Sequence, residues 1–527
     1  MSMADGVGRL TGRAQLVLVH VDVGTQGLGP AVHNACCGRA PVLIFAGLSP
    51  FTLEGEMKGS RNEFQHWIQD APDQKQIVAQ YCRYAGEVRS GKNIKQMVHR
   101  ALQFANSNPQ GPVYLCAARE TMEEEIRPYP SCSMPSVSPA ALPSDGVEWI
   151  ATTLVASKEP LIIVGRTGRS AKATEALIQL ANLVSGLHVL DAGGSDMCFP
   201  VTHPAAIGTR YGVHHKIESA EVILVVDCDV PWIPTRCKPA NSAEIFHIDM
   251  DPLKENMSLF YINASAVYQA DSAVAIQQMV DFISSSESTK SRINSVHFAH
   301  VRERRKAHHQ GWRHSIEAKI PANSRHTDPV TTRYLASQLR QACPDNTTWV
   351  VEAVTLTEVI AEHISASLPH SWINCGGSGL GWSGGAALGV KLAAKHLFQV
   401  DKFVCQIVGD GGYMLSIPSS VHWISRRYEL PVLTIVLNNG GWAAPKRSLL
   451  MVHPDGVGSK ATAEELAISF SPTPDYGGIA KSAAGGNLWT GRASTIGELM
   501  KLLPEAVSAV SAGTGAVLEA QLSDRII

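Results

Sequence analysis

The stretch from Phe403 to Trp442, FVCQIVGDGGYMLSIPSSVHWISRRYELPVLTIVLNNGGW, constrains this chain more than any other. It reads as a strand (FVCQIV), a turn on Gly409-Asp410-Gly411-Gly412, a helix, and a second strand (VLTIVL) that stops at Asn438-Asn439. Both strands are short apolar runs with β-branched residues, bounded by turn formers, as buried parallel strands are. Asp410 and the asparagines then stand at the carboxyl ends of two such strands, where an open α/β sheet forms its ligand crevice. The glycines let backbone N–H groups approach a phosphate, and Gly412 near the start of the helix adds the helix dipole. A carboxylate and a carboxamide oxygen are hard ligands that suit Mg²⁺, which shares its shell with phosphate and water. These residues point to a Mg²⁺-diphosphate site; incidental polar strand ends are the competing reading.

The spacing makes the comparison specific. GDG, 26 intervening residues (412–437) and NN resemble the cofactor motif of thiamine-diphosphate enzymes. MADGVGRLTG, VDVGTQGLGPAVHNA, RAPVLIFAG and GPVYL resemble the acetolactate-synthase-like branch of that family, and GGSGLGW resembles a cofactor-holding loop of the family. The resemblance implies three consecutive parallel-sheet α/β domains: a partial pyrimidine-binding domain, a central domain and a diphosphate-binding domain.

Composition agrees with an ordinary globular enzyme. At 527 residues the chain suits about three or four domains. It is 45% hydrophobic, its mean hydropathy is near zero and its formal net charge is −2. The basic excess of a nucleic-acid binder is missing. No apolar run reaches the roughly 20 residues needed to cross a bilayer. The opening MSMADGVGRLTGRAQ has no apolar signal core. The 11 cysteines form no CxxC pair, which suits buried thiols in a reducing compartment and favours the cytosol, with an upstream targeting segment left open.

In chain order, residues 1–125 offer strands at 16–23, 41–47 and 112–118 with helical stretches between them. In the family, the MADG-type helix follows closely on a glutamate that hydrogen-bonds the cofactor's aminopyrimidine and helps ionise its thiazolium carbon. Met1 falls just after that position. The expectation is therefore an N-terminally truncated domain whose activating glutamate lies upstream. The loop SPFTLEGEMKGSRNEFQHWIQD (49–70) corresponds to the border of the family's substrate pocket, with Phe64 and Gln65 as candidate lining. Residues 126–148 are Pro- and Ser-rich and read as a linker.

Residues 149–284 form the central domain, with strands at 161–165, 187–191, 222–227 and 243–251. Some family members bind FAD or an ADP-type nucleotide here, and in others the domain is only scaffold. GRTGRS (165–170) could cradle a phosphate, and Asp249 or Asp251 could hold a ribose hydroxyl. The motif is not a full GxGxxG, so scaffold is the favoured reading. Residues 285–329, with HFAHVRERRKAHHQGWRHSIEAKI, read as a polar interdomain helix rather than a metal site.

Residues 330–527 form the last domain. In the resemblance, GGSGLGW holds the centre of the cofactor. Gly379 lies in that loop, Leu380 wedges between the two rings, and the backbone at Ser378 faces the pyrimidine amino group. The family tends to have glycine at 378. Gly409, Asp410, Gly411 and Gly412 border the diphosphate; Asp410, Asn439 and the carbonyl of Gly441 bind Mg²⁺; Asn438 braces the turn. Trp442, Lys446 and His453 are candidates for the substrate pocket.

The implied activity is a thiamine-diphosphate- and Mg²⁺-dependent decarboxylase or carboligase acting on a small 2-oxo acid, in a homodimer or homotetramer with each site between subunits. A 2-hydroxyacyl(-CoA) lyase is the rival within the enzyme class. A catalytically inactive scaffold or regulatory homologue is the rival outside it, because no residue takes the glutamate's role.

Overall fold

A computed structural model describes residues 1–320 and 324–524. It contains three sheets, all of them parallel. The first holds β1 (Gln15–Val19), β2 (Val42–Leu48), β3 (Tyr84–Val88) and β4 (Pro112–Ala118), in the order β1-β2-β4-β3. The second holds β5 (Leu161–Val164), β6 (His188–Asp191), β7 (Ala206–Thr209), β8 (Val222–Val226), β9 (Glu244–Asp249) and β10 (Ala266–Gln269), in the order β10-β9-β8-β5-β6-β7. The third holds β11 (Thr348–Glu352), β12 (Trp372–Asn374), β13 (Val404–Gly409), β14 (Leu433–Asn438), β15 (Trp489–Ala493) and β16 (Ala516–Gln521), in the order β12-β11-β13-β14-β16-β15.

The strand sequences show why these sheets are covered on both faces. All five residues of β8, VILVV, are buried. Val222, Leu224 and Val226 enter one apolar cluster, and Ile223 and Val225 enter another on the opposite face. Such continuous apolar runs belong to parallel strands with helices on either side. In β14 the alternation puts Leu433, Ile435 and Leu437 into one core and Val436 into another.

The chain packs as two compact units. One comprises residues 1–138 with 375–401 and carries the first sheet. The other comprises 139–374 with 402–527 and carries the second and third. The segment 375–401 thus leaves the third sheet's unit to pack with the N-terminal residues. Small residues make this possible within the first unit. The helix Ser2–Thr11 lies so close to the helix Trp382–Ala393 that a Cβ on Gly6 would come 2.3 Å from the carbonyl oxygen of Ala386. A Cβ on Gly389 would come 2.2 Å from that of Met3.

Candidate active site

In the second unit, β13 and β14 run side by side with Gly409 opposite Leu437. Their carboxyl ends therefore deliver Asp410 and the Asn438–Gly441 turn to one place. The helix that follows β13, Asp410–Leu415, begins on Asp410 itself, two residues earlier than the sequence suggests. Asp410 is 2% exposed. One of its oxygens accepts from the N–H of Gly411 (2.8 Å), the other from Gly440 (3.0 Å) and Gly441 (3.1 Å). Gly440 and Gly441 reach it with φ of 91° and 147°, the left-handed region open to glycine.

Burial outweighs these hydrogen bonds and pushes the Asp410 carboxyl up to about 6. A buried carboxylate in that condition is short of positive charge. Asn438 donates to Glu519 (2.7 Å) and accepts from Gly440 (3.1 Å), so it ties the turn to β16. The Asn439 side-chain oxygen meets the Gly441 N–H at 3.3 Å. Gly409 has no atom within 4 Å of where a Cβ would stand, so open space lies beside the backbone there. A cation-deficient carboxylate, a carboxamide oxygen and backbone carbonyls make an all-oxygen donor set that fits a hard divalent cation with a phosphate in the open space.

Tight packing fixes the surroundings. A Cβ on Gly411 would meet the Trp442 ring at 2.2 Å, and that ring stands edge-on to Phe470 at 5.0 Å. Trp442 thus forms a wall of the Asp410 centre. A Cβ on Gly441 would meet the carbonyl oxygen of Ile468 at 2.0 Å. Glu352, 2% exposed at the end of β11, lies behind Gly412, 3.3 Å from its hypothetical Cβ. Sequence reading did not single out Glu352, which looks there like an ordinary strand end.

In the first unit, the 375–381 loop is held by a residue that sequence reading also missed. Asn34, 1% exposed in the helix Gly29–Cys37, donates to the Gly379 carbonyl (2.7 Å) and accepts from the Gly379 N–H (3.1 Å). A Cβ on Gly376 would come 2.4 Å from the Cα of Gly38, and one on Gly379 would come 2.8 Å from the carbonyl oxygen of Pro30. The glycines therefore let the loop lie directly on the helix. Leu380 is half-buried and Ser378 exposed, just before Gly381 turns the chain with φ 93° into the helix Trp382–Ala393. The available signal was a lone asparagine among small and apolar residues of a helix.

The family model for the thiamine pyrophosphate enzyme C-terminal TPP-binding domain matches residues 353–519. The N-terminal TPP-binding domain matches 1–77, and the central domain matches 147–301. The chain belongs to the thiamine pyrophosphate enzyme family. It is 26% identical to the acetolactate synthase isozyme 3 large subunit of Escherichia coli over 83% of this chain and 73% of that protein. It is 24% identical to mouse (Mus musculus) 2-hydroxyacyl-CoA lyase 2 over 84% of this chain and 72% of that protein. The crystal structure of benzoylformate decarboxylase from Polynucleobacter necessarius is similar in fold, with a TM-score of 0.79 at 17% identity, covering 99% of this chain and 89% of that one.

Phe64 is 74% exposed and Gln65 is exposed, at the start of the short helix Gln65–Ile68. Lys446 is half-buried on the helix Ala443–Val452, and His453 follows it, exposed. In the central domain, Asp249 is fully buried and paired with Lys254, which also bonds Asp229 at 2.7 Å. Arg166 pairs with Asp229 as well. Asp249 also accepts from the Asp251 N–H at 2.8 Å. The Asp249 carboxylate suggested for a ribose hydroxyl is thus engaged by the chain's own groups. Gly168 of GRTGRS packs against the Met197 backbone, 2.4 Å from its hypothetical Cβ.

Proposed function

We propose that this protein is a thiamine-diphosphate- and Mg²⁺-dependent decarboxylase or carboligase acting on a small 2-oxo acid. The observation that carries the reading is the Asp410 centre: a buried carboxylate short of positive charge, beside a carboxamide oxygen and open space at Gly409. Asp410, Asn439 and the Gly441 carbonyl would hold the cation. Gly409, Gly411 and Gly412 would border the diphosphate, and Leu380 would support the bent cofactor from the loop held by Asn34. When bound, thiamine diphosphate supplies a carbon nucleophile and a sink for the electron pair released by C–C cleavage. The chain's own part is to orient that group and keep water from the reacting carbon. The reading assigns the ring-activating role of the family's glutamate to no residue of this chain.

A second reading has a specific support. The relative named 2-hydroxyacyl-CoA lyase 2 matches as much of the chain as acetolactate synthase does, at a similar identity. Cleavage of a 2-hydroxyacyl-CoA thioester would use the same centre. An assay of a panel of 2-oxo acids, pyruvate among them, against a 2-hydroxyacyl-CoA separates the two. Carbon dioxide released from a 2-oxo acid, lost in Asp410→Ala, supports the first reading. Aldehyde from the thioester alone supports the second, and cofactor binding without either product makes the chain a scaffold. We further propose a homodimer or homotetramer, to be read by light scattering.

A further inference from the structure

The amino ends of the central sheet's strands hold a cavity that the proposed chemistry does not use. Its volume is about 280 Å³, and Glu159, His188, Lys216, Arg304, Arg305 and His308 line it. Glu159 lies two residues before β5, His188 opens β6, and Lys216 lies on the short helix His215–Ser219 between β7 and β8. The two arginines and His308 come from the helix Val296–Glu317. Nucleotide crevices of such sheets lie at the opposite, carboxyl ends.

The charges do not balance. Glu159 takes Lys216 at 2.6 Å and Arg304 at 3.2 Å. Arg305 is 6% exposed, and its Nη1 donates to the carbonyls of Ala181 (3.0 Å), Val184 (3.2 Å) and Leu187 (3.2 Å). Its Nε has no partner, and among the described residues no carboxylate pairs with it. Burial, with Arg302 second, pulls its pKa down to about 10. His188 is also 6% exposed, and its Nδ1 has no partner. Burial first, then Lys216, lowers its pKa to about 3. Those two atoms are closed off from solvent, but one carboxylate, Glu159, faces three cationic side chains at the cavity, and an anion supplied from outside would offset that excess.

We propose that this cavity binds a small organic oxyanion, a carboxylate or a phosphate ester, held by Arg305, Lys216 and Arg304 with His188 as a further hydrogen-bonding partner. The volume admits roughly nine non-hydrogen atoms, at the space water takes per molecule. Occupancy would fasten the helix Val296–Glu317 to the central sheet. This gives the basic residues of that helix a role that the Asp410 centre does not involve.

Calorimetric titration with inorganic phosphate and with succinate at fixed ionic strength tests the site. Saturable binding of one per chain is expected, in the wild type and equally in Asp410→Ala. Lys216→Gln and Arg304→Gln should each weaken it about tenfold, the loss of one charge-assisted hydrogen bond. Lys172→Gln, away from the cavity, should not. A preference for phosphate or for succinate identifies which oxyanion the site takes. In the unaltered protein, the bound anion should slow phenylglyoxal labelling of Arg304, read by peptide mass. The proposal fails if neither anion saturates up to tens of millimolar, if both cavity variants bind as well as wild type, or if Arg304 labels equally fast with and without anion.

Discussion

Asp410 accepts three backbone N–H groups, yet burial holds its pKa at about 6 against an ordinary 3.8. Such a carboxyl binds its proton more tightly folded than unfolded. Between those two pH values, stability contributed by this group falls as pH rises, by about 3 kcal/mol at roughly 1.4 kcal/mol per tenfold in proton affinity. Without divalent cation, Asp410→Asn should therefore gain on wild type by about that much in urea unfolding free energy between about pH 4 and about pH 7. Added Mg²⁺ should stabilise the wild type alone. A pH-independent difference would mean that this carboxyl carries no such cost. Asn34 makes the complementary case. Asn34→Ala leaves both backbone groups of Gly379 without the partner they have, which should cost about 2 kcal/mol in unfolding free energy. A loss below a few tenths would show that the loop holds itself. Asp410 and the Asn438-Asn439 pair were legible because their chemistry sits on two short motifs at strand ends. Asn34 was not, because its partner lies 345 positions along the chain.

The inner strands were readable for a physical reason. β2, β4, β5, β8, β13 and β14 are nearly continuous apolar runs, as burial on both faces demands. The strands that sequence reading passed over are β3 (YAGEV), β7 (AIGT), β10 (AVYQ), β12 (WIN) and β15 (WTGRA), and every one is a sheet edge. Edges are short, and all five carry glycine or a polar or charged residue that breaks or ends the apolar run. β1 shows a boundary effect: the apolar pattern runs to Val23, but the strand ends at Val19, ahead of Asp22 with φ 45°. Glycine-rich helices pose the opposite problem, since propensity argues against the residues that packing requires. Gly389→Ala gains about 1 kcal/mol of helix propensity but drives a Cβ into the Met3 carbonyl, a rigid backbone atom, and overpacking typically costs 1–3 kcal/mol. Net destabilisation is expected. Gly311→Ala, in the helix Val296–Glu317 with no atom within 4 Å of the new Cβ, should instead stabilise by up to about 1 kcal/mol. Equal effects of the two substitutions in thermal unfolding would remove the packing argument.

At the scale of the whole molecule, the chain passes from one unit to the other after Ser138, Asn374 and Asp401. The first crossing falls in the Pro- and Ser-rich stretch 126–148. The other two fall beside a glycine-rich loop and in a short polar segment that carry no linker signature. Composition could not reveal them, because what assigns 375–401 to the first unit is close helix contact through glycines. Among the described residues, no helix is long and apolar enough to cross a membrane. The Asp410 centre is expected to hold a diphosphate through a divalent cation. Calorimetric titration of thiamine diphosphate into wild type and Asp410→Ala, each with Mg²⁺ and with chelator, tests it most directly. Saturable binding is predicted for wild type with Mg²⁺, with affinity at least about a hundredfold lower in chelator or in the variant, as the loss of a charged ligand to a buried cation implies. Equal affinity in Asp410→Ala, or in the absence of any divalent cation, would contradict it.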